Sequence, residues 1–246
     1  IRDSINMLGE PGVGRGMVTQ AAWIRSLLVT YIKSAEGSAK IGGLFGSVVG
    51  SDGEALPWNR AQQAAFLIFV GSEVKKAVGD SSSQWAKRLR TNQQEKLDDP
   101  AYDAAFFGHN TLLATDQGIR GLLFVTNDLC YVRAEAFKLS DWMSATPDSP
   151  ATDQEEVTRL LKELGKRSVG KYIVAMARAL ATFDWRSSSA PGLKDDELMM
   201  RKALRGSGGY KELRRQLLMH LRDHAATTEI KSAAKLVYSQ LGYDQE

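Results

Sequence analysis

Apolar residues recur at three- and four-residue intervals through most of this 246-residue chain, and period-two alternation is almost absent. That regularity sets a mainly α architecture, because buried helix faces need this spacing while half-buried strands need the other. Between Met17 and Ala35 the apolar set is Val18, Ala21, Ala22, Ile24, Leu27, Leu28, Tyr31 and Ile32. Pro57 suits the start of a long helix from Trp58 to about Val78, closed by Gly79 and the run Asp80-Ser81-Ser82-Ser83. A shorter helix with Trp85, Ala86 and Leu89 follows, then an exposed linker over 91–103. Thr111 to Arg133 reads as a buried central helix in which Gly118 and Gly121 let a neighbouring helix approach closely. Thr152 and the carboxylates after it predict a helix stopping at Gly165, followed by helices near 166–182, 195–205, 210–224 and 229–241.

The stretch "SATPDSPAT", residues 144–152, places two prolines among small polar residues and is the expected linker between a helical region, 1–143, and a basic helical region, 153–246. Residues 41–50, "IGGLFGSVVG", fit a turn, a short strand or a broken helix equally well. No internal repeat is evident. The expectation is a multi-helix globular bundle, standing alone or as the helical part of a larger α+β protein. The chain opens on Ile1 rather than Met, as expected of a processed product or a piece of a longer reading frame.

With 43% hydrophobic and 25% charged residues, the composition is that of a globular domain rather than a disordered chain. A net charge of +3 permits an acidic polymer as partner without making the chain a polycation. The apolar run Ala64–Val70 is far shorter than the roughly 20 residues a membrane span needs. The lone cysteine, Cys130, has no internal disulfide partner and sits among apolar neighbours, so it reads as a packed side chain in a reducing compartment. A cytoplasmic protein without a membrane partner is expected.

"GEPGVGRG", Gly9 to Gly16, invites comparison with phosphate-binding loops. Gly9 and Gly14 have the outer spacing of a P-loop, but Arg15-Gly16 stands where Lys and a hydroxyl residue would hold phosphate and magnesium. The dinucleotide pattern fails as well: Gly12 and Gly14 lack the third glycine, and no strand is expected upstream. A hinge into the following helix is the reading carried forward. An anion site formed by Gly12, Gly14 and Arg15 stays open beside it, and no cofactor is expected.

His220 and His224 share a helix face in "HLRDH", a spacing that suits zinc, with Glu229 the near candidate for a third ligand. Histidines in a last helical turn also face its negative end, which explains them without metal. No Ser-His-Asp or Cys-His arrangement stands out, so no catalytic residue is assigned. Basic residues cluster instead: Lys75-Lys76, Lys87-Arg88 with Arg90, Arg201-Lys202 with Arg205, and Lys211 with Arg214-Arg215. "MMRKALRGSGGYKELRRQLLMHLRDH" reads helix, glycine turn, basic helix, loosely a helix-turn-helix whose second helix presents Lys211, Arg214 and Arg215 to phosphates. The expected DNA-binding set is therefore Lys87, Arg88, Arg90, Lys202, Arg205, Lys211, Arg214 and Arg215, with a solvated basic face as the plainer alternative. Tyr210 and Trp85 fit either base stacking or the core.

Four segments in order, "INMLGEPGVGRGMVTQAAWIRSLL", "NRAQQAAFLIFVGSEVKKAVGDSSSQWAKR", "NTLLATDQGIRGLLFVTNDL" and "FDWRSS" with "LRGSGGYKELRRQLLMHL", span most of the chain. Together they resemble the C-terminal two-thirds of DGQHR-domain proteins, the group that includes the DndB proteins of DNA phosphorothioation systems. The family's naming string lies in an upstream ParB-like region and is missing here. "DQGIR", Asp116 to Arg120, lacks its His and differs in order, so no nuclease or nucleotide-hydrolysing activity is carried over. What the resemblance implies is a partner of DNA modification and phage-defence machinery, DndB-like members acting as DNA-binding transcriptional regulators. Two other readings stay open: a fragment of an enzyme whose catalytic region lies upstream, and a protein-interaction scaffold forming a homo-oligomer.

Overall fold

The computed structural model describes residues 5–6, 18–32, 41–46, 56–91, 102–206 and 208–245. "GEPGVGRG", with Gly12, Gly14 and Arg15, lies outside the described residues, as does most of the 91–103 linker. Ten α-helices make up the described fold, which is the mainly α bundle expected from the spacing. They are α1 Gln20–Leu27, α2 Arg60–Gly79, α3 Gln84–Thr91, α4 Ala104–Phe107, α5 Asp116–Tyr131, α6 Gln154–Leu164, α7 Ser168–Leu180, α8 Asp195–Ala203, α9 Gly209–His224 and α10 Thr228–Gln240. No described helix is long and apolar enough to cross a membrane.

One difference from the sequence reading appears near the start. A two-residue strand, β1 Ile5–Asn6, does precede the glycine-rich stretch and pairs in parallel with β2, Val18–Thr19. Thr19 then caps α1, its Oγ1 accepting from Ala22 N–H at 3.1 Å, and a π-helical turn, Leu28–Ile32, continues it. Of the glycine-rich segment, the described residues 41–46 form a turn: Leu44 is wholly buried and Phe45 N–H donates to the Tyr31 carbonyl.

Helix α2 begins two residues after the expected Trp58. Asn59 and Gln62 form a reciprocal capping box, with Gln62 N–H to Asn59 Oδ1 at 2.8 Å and Asn59 N–H to Gln62 Oε1 at 3.1 Å. Helix α5 starts at Asp116, five residues after the expected Thr111, because the chain before it is hydrogen-bonded elsewhere. Leu112 N–H donates to the Trp185 carbonyl at 2.7 Å and Ser187 N–H to the Asn110 carbonyl at 2.8 Å, which pulls residues 110–112 against the "FDWRSS" segment. Thr115 is the cap that opens α5.

One core joins both sides of the 144–152 segment, which therefore separates no cores. Helix α2 packs against α6 and α7, while α5 packs against α1, α9 and α10. The segment is a surface connection stitched to the start of α2: the Ser149 carbonyl accepts from Ala61 N–H, and the Thr146 carbonyl accepts from Asn59 Nδ2 at 2.7 Å. An aromatic cluster of Tyr31, Phe45, Trp58, Phe66 and Trp142 fills the centre, with Trp58 and Trp142 edge to face at 4.8 Å. Gly121 meets Leu213 of α9, where an added Cβ would lie 2.8 Å from Cδ2, so this glycine sets the close α5–α9 approach. Gly118 abuts backbone instead, the Leu112 carbonyl oxygen. Cys130 is fully buried, and burial pushes its thiol up to about 12, so it is a packing residue and no thiolate nucleophile.

Candidate nucleic-acid interface

Helix α8 buries no side chain, so hydrophobic packing does not hold it in place. Ion pairs do. Arg201 reaches Asp184 Oδ2 at 3.2 Å, and Arg186 bridges Asp184 at 2.7 Å and Glu197 at 3.2 Å. Burial drives the Asp184 carboxyl upward, yet Arg186 and Arg201 overcome this and hold it below the usual carboxylate range. Arg186 was not among the expected site residues, and its segment, "FDWRSS", carries no periodicity that would have shown this tethering role.

After α8 the chain turns at Gly206, whose φ of +84° lies in the left-handed region that glycine tolerates at little cost. Gln117 of α5 steadies this turn, its Nε2 donating to the Gly206 carbonyl at 3.4 Å. Leu204 is buried just before it. Lys202, Arg205 and Lys211 flank the turn and are all exposed. Arg205 donates to Ser189 Oγ at 3.1 Å, and among the described residues none of the three pairs with a carboxylate.

Three of the other expected cations, Arg90, Arg214 and Arg215, are engaged within the fold. Arg214 binds Asp128, whose carboxylate is 1% exposed, through Nη2 at 2.7 Å. Arg215 forms a two-pronged pair with Glu212 at 2.8 and 2.9 Å. Arg90 clamps Asp103 the same way and donates to the Val78, Gly79 and Ser81 carbonyls, tying down the C-terminal end of α2. Lys87 and Arg88 are exposed on α3, an element apart from the α8–α9 turn.

Of the three cations that the loose helix-turn-helix reading placed on α9, Arg214 and Arg215 are paired with acids and Lys211 is exposed. Helix α9 lies against α5, α7 and α10 and buries Leu213, Leu217, Leu218 and Leu221, so its apolar face belongs to the core. Tyr210 stacks on Phe124 with centroids 5.6 Å apart, under the Arg120 guanidinium, and the buried Trp85 donates its Nε1 to the Ala181 carbonyl. Both rings have intramolecular partners.

The histidine pair is also accounted for structurally. The two rings lie 4.9 Å apart, but Glu229 is bound to Arg133, and no group of three or more metal-ligating side chains is assembled among the described residues. His220 Nε2 is 3.1 Å from the Ala179 carbonyl and 2.9 Å from Thr182 Oγ1. A carbonyl only accepts, so Nε2 carries the proton and donates, while the Thr182 hydroxyl itself donates to Ala179 O at 2.7 Å. His220 therefore cannot serve as base for Thr182, which lines a polar cleft of about 320 Å³ with Lys76, Asp80, Ser81 and Arg178.

No family model, no curated protein and no solved structure matches this chain. What the fold and the geometry define is a mainly helical fold with an exposed cationic corner at the α8–α9 turn.

Proposed function

We propose that this chain is a DNA-associated, non-catalytic helical region of a DGQHR/DndB-like protein, acting as a regulator beside DNA-modification and phage-defence machinery. One observation carries the reading: Lys202, Arg205 and Lys211 stand exposed around a glycine turn without carboxylate partners among the described residues, while the neighbouring Arg201, Arg214 and Arg215 are each neutralised by an acid. Three unneutralised cations on one corner suit contacts to phosphate, which position a protein on a duplex without reading its sequence. Protein components of the same machinery are further partners under this reading.

The test is duplex-DNA affinity as a function of salt, measured by fluorescence anisotropy on the full chain. Binding should weaken steeply with salt, and Lys202→Glu with Lys211→Glu should reduce the log–log slope by about 2, at about 0.9 per phosphate contact. Lys231→Glu, an exposed change on α10, should leave the slope unchanged. Affinity indifferent to salt, or to the double reversal, would sink the proposal.

A further inference from the structure

A second feature lies away from the cationic corner and stands independently of the DNA reading. Helices α1, α2, α4 and α5 line a cavity of about 160 Å³ that is open on one side. Its walls are apolar, with Trp23 from α1, Leu67 from α2, Phe107 from α4 and Leu122 from α5, and its polar side chains are those of Ser72 and Lys75 on α2. Lys75 Nζ sits 4.8 Å from the centre of the Phe107 ring, which fixes the ammonium at the aromatic wall. Among the described residues no carboxylate pairs with it, unlike Arg90, Arg159, Arg214 and Arg215 on the same molecule.

The chemistry of these walls specifies the ligand. A void of about 150 Å³ lined by aliphatic and aromatic side chains accommodates one benzene-sized ring, and the cavity here is of that size. A lone cation beside such a void favours an anionic substituent on the ring, because a charge-assisted hydrogen bond in a partly dry site outweighs one made to a neutral group. We infer that the cavity between α1, α2, α4 and α5 is a binding site for a small aromatic carboxylate, its ring against Trp23, Phe107 and Leu122 and its carboxylate on Lys75. Ser72 is exposed on the same helix and supplies a second donor to the carboxylate.

The test uses benzoate as probe and benzyl alcohol as its neutral counterpart of equal size, measured by titration calorimetry on the full chain. Benzoate should bind about tenfold more tightly than benzyl alcohol, the advantage of a charged over a neutral hydrogen bond. Lys75→Met should erase that difference, and Leu122→Phe, which fills the void, should abolish binding of both. Should Leu122→Phe fail to fold, Leu67→Phe fills the same space from the opposite helix. The inference is overturned if benzoate does not bind, if it binds no better than benzyl alcohol, if Lys75→Met keeps the preference, or if the folded cavity-filling variant binds as the parent does.

Discussion

The Arg214 guanidinium lies between the Asp128 carboxylate, with Nε and Nη2 each 2.7 Å from Oδ2, and the face of Phe124, 4.5 Å from its centroid. Phe124 and Asp128 are one turn apart on α5, so a single side chain of α9 is gripped by two successive turns of its neighbour. Burial raises the Asp128 carboxyl above its ordinary range despite the pull of Arg214. Arg214→Met should therefore cost about 3–5 kcal/mol in urea unfolding at neutral pH, since it strands a buried carboxylate. Pairing it with Asp128→Leu should recover most of that loss. A carboxyl raised by folding contributes stability below its unfolded value and loses it as pH rises, so the deficit of Arg214→Met should shrink in acid.

Gly118→Ala and Gly121→Ala should separate two kinds of close approach. At Gly118 a Cβ would lie 1.7 Å from the Leu112 carbonyl oxygen, and backbone held by the Trp185 hydrogen bond has little freedom to move away. At Gly121 the obstacle is the end of the Leu213 side chain, 2.8 Å away, which can rotate. Thermal unfolding should show Gly118→Ala at or beyond the upper end of an overpacking cost of about 1–3 kcal/mol and Gly121→Ala near its lower end.

Glu156 gives the fold an acid-sensitive joint. Hydrogen bonds from Arg159 and then Ser144 hold its carboxyl down at about 2, and they link the first turn of α6 to the 144–152 segment. A depressed carboxyl contributes stability above its unfolded value and loses it as pH falls through the folded one. Glu156→Gln should cost about 1 kcal/mol at pH 7, the size of a partly screened ion pair with its hydrogen bonds. Denaturation curves of the two proteins should converge as pH approaches about 2.

His220 acts in a higher pH window. Burial chiefly pulls its imidazole below the ordinary 6.5, so the folded state favours the neutral ring that donates to Ala179. That contribution is present above the unfolded value and is lost as pH falls through the folded one. Parent stability should drop below pH 6.5 relative to His220→Gln, whose amide keeps a donor without titrating, and guanidine titrations at stepped pH would measure it.

Much of this fold is legible in the sequence because helix periodicity reports burial directly: α2, α3, α6, α7, α9 and α10 lie within a few residues of where their apolar spacing puts them. Errors fall where tertiary hydrogen bonds override local preference, as at 110–112 beside Trp185. The segment 144–152 is a surface connection, and prolines mark such a connection whether or not separate cores lie on its two sides. The cationic corner is less legible than the helices. A count of basic residues cannot tell Lys211 from Arg214, three positions along the same helix, because Asp128, which neutralises the second, lies 86 residues away from it. Lys75 was visible only as half of a basic pair, and nothing in its neighbours predicts the void beside it.

The packing of α9 against α5 also fixes when the protein can become whole. As the chain leaves the ribosome, Asp128 emerges 86 residues before the Arg214 side chain that covers it, and the Gly121 face of α5 earlier still relative to Leu213. Until α9 arrives, the first half carries a carboxylate without its arginine and an open apolar seam. Splitting the gene at residues 144–152 should consequently yield two fragments that aggregate apart and assemble when synthesised together.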